Sequence, residues 1–121
     1  MINSVRVVNF KSLAAVTIPL GHFNCLVGMN GAGKSTVLQA LDLLSQLMRG
    51  DVEGWLDRRG WSAADLRCKL RKESNISFTV SFTTSSGQRL NWLGFFNRSD
   101  LRCYQEGAYL GDGDKVITLL R

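Results

Sequence analysis

The chain has little of several things that would narrow its class quickly. No stretch of it approaches the roughly 18 to 20 consecutive apolar residues that cross a bilayer as a helix. Its first residues, MINSVRVVNF, carry no basic segment followed by an apolar one, so no secretion signal is expected. The three cysteines (Cys25, Cys68 and Cys103) are odd in number, far apart and never in Cys-x-x-Cys spacing. That suits reduced thiols in a cytoplasmic protein and not a disulfide framework. His22 is the single histidine, with no suitably spaced cysteine beside it, so a metal centre on it is not expected. Charged residues are 21% and hydrophobic residues 45% of the 121, a balance that speaks against disorder and for one globular domain or part of one.

What is present in excess is positive charge, +5 net. It fits a phosphate-rich partner and bears on association, not on fold. Its densest run is WLDRRGWSAADLRCKLRKE, where Arg58, Arg59, Arg67, Lys69, Arg71 and Lys72 alternate with Asp57, Asp65 and Glu73. The run reads first as a solvated mixed-charge surface and second as a nucleic-acid contact patch. Trp55, Trp61 and Trp92 read first as packing residues and second as base-stacking platforms.

Hydrophobic patterning predicts the elements. Valines over 4–10 predict a strand. Residues 14–20 predict a second, with Val16, Ile18 and Leu20 on one face and Pro19 marking an edge or an end. The short apolar run FNCLV at 23–27, bounded by turn signals, predicts a buried strand. From Ser35 to Arg49, Val37, Ala40, Leu41, Leu44 and Met48 define an apolar stripe, with Gln39, Asp42, Gln46 and Arg49 opposite, so a helix closed by Gly50 is predicted. Residues 51–74 predict a helical insertion in pieces, with a capping box at Ser62–Asp65 ahead of Leu66 and Leu70. NISFTVSFTT alternates strictly, and further strands to residue 121 predict an antiparallel meander over 75–121.

The chemistry lies in LVGMNGAGKSTVLQAL. Gly28, Gly33, Lys34 and Ser35 match G-x-x-x-x-G-K-[ST], a phosphate loop or Walker A motif, between an apolar run and an amphipathic helix. Backbone N–H groups of such a loop and of the first helical turn converge on phosphate oxygens, with the helix dipole behind them. Gly31 and Gly33 permit backbone shapes that a side chain obstructs. The expected nucleotide contacts are Asn30, Gly31, Ala32, Gly33, Lys34, Ser35 and Thr36. Lys34 is expected at the β- and γ-phosphates, Thr36 near the α-phosphate, and the Ser35 hydroxyl on Mg2+. The expected ligand is ATP with magnesium.

VRVVNFKSLAAVTIPLGHFNCLVGMNGAGKSTVLQALDLL, with NFKSL ahead of the loop and GMNGAGKST within it, resembles the N-terminal segment of ABC-type ATPases of the SMC/RecF/OLD-like class, often called AAA family ATPases. The resemblance covers residues 2–50 well and 51–121 more weakly. It implies an α/β fold: the N-terminal lobe of a P-loop ATPase, with a mixed sheet, a Walker A helix and an antiparallel β-subdomain. It implies that Lys11 and Ser12 lie near the nucleotide, although a plain strand-to-strand turn explains them as well. It implies that Asn30 points toward the γ-phosphate and the attacking water. It also implies partners: the remainder of the head, a second head in a dimer, and DNA.

Hydrolysis in that class needs an Asp-Glu pair at a strand end and a signature motif. The chain contains no Asp-Glu dipeptide, and SSGQRL at 85–90 reads as a hairpin turn and not as a degraded signature. The chain is therefore expected to be a partial ATPase domain that binds nucleotide with little turnover. Two other classes compete. A transporter ATPase subunit is compatible with Phe10, 24 residues before Lys34, but less so with residues 51–74. A small-molecule kinase would need a lid and an acidic substrate site, and neither is recognisable.

Overall fold

The structure is a computed structural model that describes residues 1–28, 33–111 and 114–119, the last of these as backbone. Strands β1 (Ile2–Phe10) and β2 (Leu13–Pro19) form a hairpin, in which Val7 faces Val16. Helices α1 (Lys34–Arg49) and α2 (Val52–Arg59) and a short 3-10 turn (Ala63–Leu66) follow. Then come β3 (Asn75–Thr83), β4 (Arg89–Asn97), β5 (Arg102–Leu110) and β6 (Asp114–Leu119). The six strands make one sheet in the order β2-β1-β3-β4-β5-β6. The meander over β3–β6 is as expected, and β1 joins it by pairing with β3, Val5 opposite Val80. β2 is an edge strand, and Pro19 closes it.

Alternation decides which face is covered. Val5 and Val7 of β1, Ile76, Phe78 and Val80 of β3, and Trp92 and Phe96 of β4 are buried on one face. They pack with Leu43, Leu44 and Leu47 of α1, Val52, Trp55 and Leu56 of α2, and Leu66. Full burial of such a side chain contributes roughly 1.5–3 kcal/mol. The alternation runs through Val5, Val7 and Asn9 and breaks at Phe10, which is buried as well, with Asn9 in the left-handed region at φ 70. Asn tolerates that region better than most residues. Its Nδ2 donates to the carbonyls of Glu73 (2.7 Å) and Asn75 (2.8 Å), which fixes where β3 begins.

Three expectations change. Residues 23–27 form no strand, and the whole segment is exposed, with Phe23 at 88% and Val27 at 90%. An apolar run becomes a strand only when a neighbour accepts its hydrogen bonds, and no described residue pairs with this one. The α/β class holds, with every pair in the described sheet antiparallel. The apolar stripe of α1 is also turned. Ala40 and Leu44 are buried as expected, but Leu43, Gln46 and Leu47 complete the buried face while Met48 is 58% exposed. The helix is apolar on several sides, so sequence spacing alone underdetermines its orientation, and Gln46 satisfies its polar end by bonding Asp42. Finally, the helical register does not continue from Leu66 to Leu70; Leu66 is buried and Leu70 is 74% exposed.

The expectations for the helix cap, the capping box, the β3–β4 turn and the tryptophans Trp55 and Trp92 hold. Gly50 ends α1 in the left-handed region, its N–H on the Gln46 carbonyl. Ser62 and Asp65 form the capping box. Residues 84–88 form the β3–β4 turn, with Gly87 at φ 85. Trp55 and Trp92 are core residues. Among the described residues Cys25, Cys68 and Cys103 form no disulfide, and no group of His, Cys, Asp and Glu could hold a metal ion. No described helix is long and apolar enough to cross a membrane.

Candidate phosphate-binding site

Residues Asn30, Gly31 and Ala32 lie outside the described residues. The two ends of the loop are described. Gly33 sits at φ 92, where an L side chain is strained although no atom of the described residues lies within 4 Å of where a Cβ would be. It turns the chain into α1, whose first backbone bond runs from Val37 N to the Gly33 carbonyl at 3.0 Å. Among the described residues no side chain caps this end, and its first turn holds no acidic residue. The N–H groups of that turn and the positive end of the helix dipole therefore meet no competing carboxylate among them. Lys34 Nζ donates to the Gly28 carbonyl. The Ser35 side chain is exposed and Thr36 is half-buried. A poised cation and open N–H donors suit a phosphate.

Lys11 and Ser12 form the turn between β1 and β2. Lys11 is in the left-handed region at φ 47, held there by its own N–H on the Leu66 carbonyl at 3.1 Å. Its Nζ donates to Gln39 Oε1 at 2.9 Å. Gln39 is five residues beyond Lys34 on α1, about 7.5 Å along the helix. The same Nζ lies 3.5 Å from the centroid of the Trp61 ring. Partial burial lowers the Lys11 pKa; nearby Asp65 opposes this, and Arg59 adds to it. Lys11, Ser12, Trp61, Asp65, Arg67 and Lys69 line a cavity of about 560 Å³.

Behind that cavity a second cluster ties the helices together. Asp42 on α1 accepts from Trp55 Nε1 at 2.9 Å and from the Arg59 guanidinium. The Trp55 bond is the main cause of its lowered pKa; burial opposes it, and the Arg59 and Gln46 bonds reinforce it. Trp55 and Trp61 meet edge to face at 5.6 Å, and Arg59 lies 4.9 Å from the Trp61 centroid. The charged run and the tryptophans were visible in the sequence. Their convergence on Lys11 was not, because the partners lie some fifty residues from it in the chain.

Residues 1–92 match the AAA ATPase domain family. The chain belongs to that family, and it carries the N-terminal lobe of an SMC/RecF/OLD-like ATPase. It is 46% identical over 82 residues to an OLD nuclease of Thermus scotoductus, which covers 68% of this chain and 14% of that protein. It is 48% identical over 46 residues to the DNA replication and repair protein RecF of Porphyromonas gingivalis, covering 37% of this chain and 13% of that protein. A match of 42 residues at 50% identity links it to the ferric enterobactin transport ATP-binding protein FepC of Escherichia coli, covering 35% of this chain and 15% of that one. A solved SMC ATPase structure shares the fold, with a TM-score of 0.62 and 20% identity over 96% of this chain and 72% of that one. The chain thus spans about a seventh of the length of the curated relatives it matches.

Proposed function

We propose that this chain is the Mg-ATP-binding lobe of an SMC/RecF-like ATPase head that works on DNA, in repair, maintenance or defence. The observation that carries the reading is the uncapped, acid-free start of α1 at Gly33-Lys34-Ser35. There Lys34 holds the β- and γ-phosphates, the Ser35 hydroxyl takes the magnesium ion, and Thr36 lies at the α-phosphate. Asn30, Gly31 and Ala32 complete the loop, and Lys11 and Ser12 lie toward the nucleotide. Bound magnesium supplies charge neutralisation between phosphate oxygens.

Turnover belongs to the complete head. The sequence lacks the Asp-Glu pair and the signature, so this chain alone binds ATP and hydrolyses it slowly or not at all. The remainder of the head is the first partner, supported by the exposed apolar run at Phe23 and Val27 and by the small share of each relative that the chain spans. A second head is the second partner. The SMC ATPase of similar fold undergoes ATP-driven dimerization and DNA-stimulated activation, and we extend both to the assembled protein. A transporter role has less support, since that likeness is confined to 42 residues.

The test is calorimetric titration with Mg-ATP, with Lys34→Ala alongside. Saturable binding that weakens at least tenfold in the variant is expected. Equal affinity in the two proteins, or no binding by the wild type, overturns the reading.

A further inference from the structure

We propose that Gln39 and Trp61 are positioning residues for nucleotide binding: together they hold the Lys11 ammonium in one place, ready for a phosphate of the bound nucleotide. This rests on the reading above, in which Lys11 lies toward the nucleotide. It gives two residues outside the phosphate loop a part in the affinity, one of them from the segment between α2 and the 3-10 turn.

Lys11 is more constrained than a turn residue needs to be. It sits at φ 47, a backbone shape that side chains such as lysine seldom adopt. Such a shape persists where the surroundings over-determine it. The Lys11 N–H donates to the carbonyl of the fully buried Leu66 at 3.1 Å. Its Nζ donates to Gln39 Oε1 at 2.9 Å. The same Nζ lies over the Trp61 ring, 3.5 Å from the centroid, with the Phe10 ring farther off at 5.9 Å. A strand-to-strand turn requires neither side-chain contact.

The helix tells where the ammonium is held. Gln39 is four residues after Ser35. Side chains at that spacing share a helix face, with about 5–6 Å between their Cβ atoms. Gln39 therefore stands one turn above Ser35, and Lys11 Nζ is tied to the face of α1 that starts at the phosphate loop.

Trp61 acts as a seat for this cation. Arg59 lies 4.9 Å from the same centroid, but its charge is paired with Asp42. Trp55 meets the ring edge to face at 5.6 Å and fixes its plane. The negative ring face is thus turned to Lys11, and partial burial strengthens such a contact. Asp65 lines the same cavity, accepts from the Ser62 N–H at 2.7 Å, and forms no ion pair with Lys11 among the described residues. Lysine is rich in rotamers, and ordering it on binding costs affinity. A lysine already ordered by the fold avoids that loss.

The test is calorimetric titration with Mg-ATP across a mutant cycle on Lys11→Met, which keeps the stem and removes the charge. Gln39→Met and Trp61→Leu should each weaken binding roughly three- to tenfold, the cost of ordering one long side chain on binding. Trp61→Phe keeps an aromatic face and should stay within about twofold of the wild type. In the Lys11→Met background neither Gln39→Met nor Trp61→Leu should weaken binding further, because the residue they position is gone. Should Trp61→Leu fail to fold, Gln39→Met decides, since methionine matches glutamine in helix propensity. Binding equal to wild type in Gln39→Met or in Lys11→Met overturns the proposal. So do losses that still add in the Lys11→Met background, or a loss in Trp61→Phe as large as in Trp61→Leu. A wild type that binds no Mg-ATP overturns the loop reading as well. Binding that is lost in Lys34→Ala but unmoved in Gln39→Met overturns the positioning alone.

Discussion

Trp55 Nε1 donates to Asp42 Oδ2 at 2.9 Å, so α2 is held to α1 by a hydrogen bond between a buried indole and a half-exposed carboxylate. Asp42→Ala leaves the Trp55 N–H, on a residue only 4% exposed, without its acceptor. A buried donor stripped of its partner costs about 1–3 kcal/mol. Urea denaturation at neutral pH should show a loss in that range, and no loss would mean the bond contributes nothing.

The same carboxylate sets a pH dependence. Its pKa in the folded chain is lowered from 3.8, first by the Trp55 bond. A group whose folded pKa is depressed adds stability above its unfolded pKa and loses it as pH falls through the folded value. The stability gap between wild type and Asp42→Asn should therefore be constant above about pH 5 and close progressively below about pH 4. Denaturation series between pH 3 and 7 would measure it, and a gap that widens on acidification refutes the assignment.

Gly33 and Gly50 bracket α1, both in the left-handed region with no atom of the described residues near a notional Cβ. Alanine at either should cost about 1–2 kcal/mol, the strain of a Cβ in that conformation. Only Gly33→Ala should also weaken Mg-ATP binding. Parallel thermal denaturation and titration separate the two effects, and equal affinities in both variants would remove Gly33 from the phosphate site.

Gly94 is needed for a different reason. A Cβ there would lie 2.6 Å from Trp92 Cη2 and 2.8 Å from Cys103 Sγ. Gly94→Ala should destabilise by about 1–3 kcal/mol through overpacking. Adding Trp92→Leu should recover part of that loss, a coupling that a double-mutant cycle reads directly.

Phe23 and Val27 are apolar yet almost fully exposed. Phe23→Ser and Val27→Ser should change the stability of this chain by no more than about 0.5 kcal/mol, as surface substitutions do. A loss of 2 kcal/mol in chemical denaturation would show that the segment is packed.

Much of the fold was legible because its signals are local. Strict alternation in NISFTVSFTT needs only a period of two to reveal a strand, and β3 follows it closely. Gly50, the Ser62–Asp65 box and the Gly87 turn were readable for the same reason, each being satisfied within a few residues. The orientation of α1 was not readable. Its apolar residues surround the helix, and only the shape of the sheet beneath selects Leu43 and Leu47 over Met48.

The sequence by itself determined the G-x-x-x-x-G-K-[ST] motif. Gly28, Gly33, Lys34 and Ser35 lie close enough in the chain to be read by spacing alone, and the family follows from a match over residues 1–92. Tertiary structure decided the rest. It left FNCLV unpaired, because a strand exists only beside another strand. It brought Lys11 onto Gln39 and Trp61, and it gave Arg58, Arg59 and Arg71 of one charged run their carboxylate partners. Those relations depend on distances between residues far apart in the chain, and no local pattern encodes them.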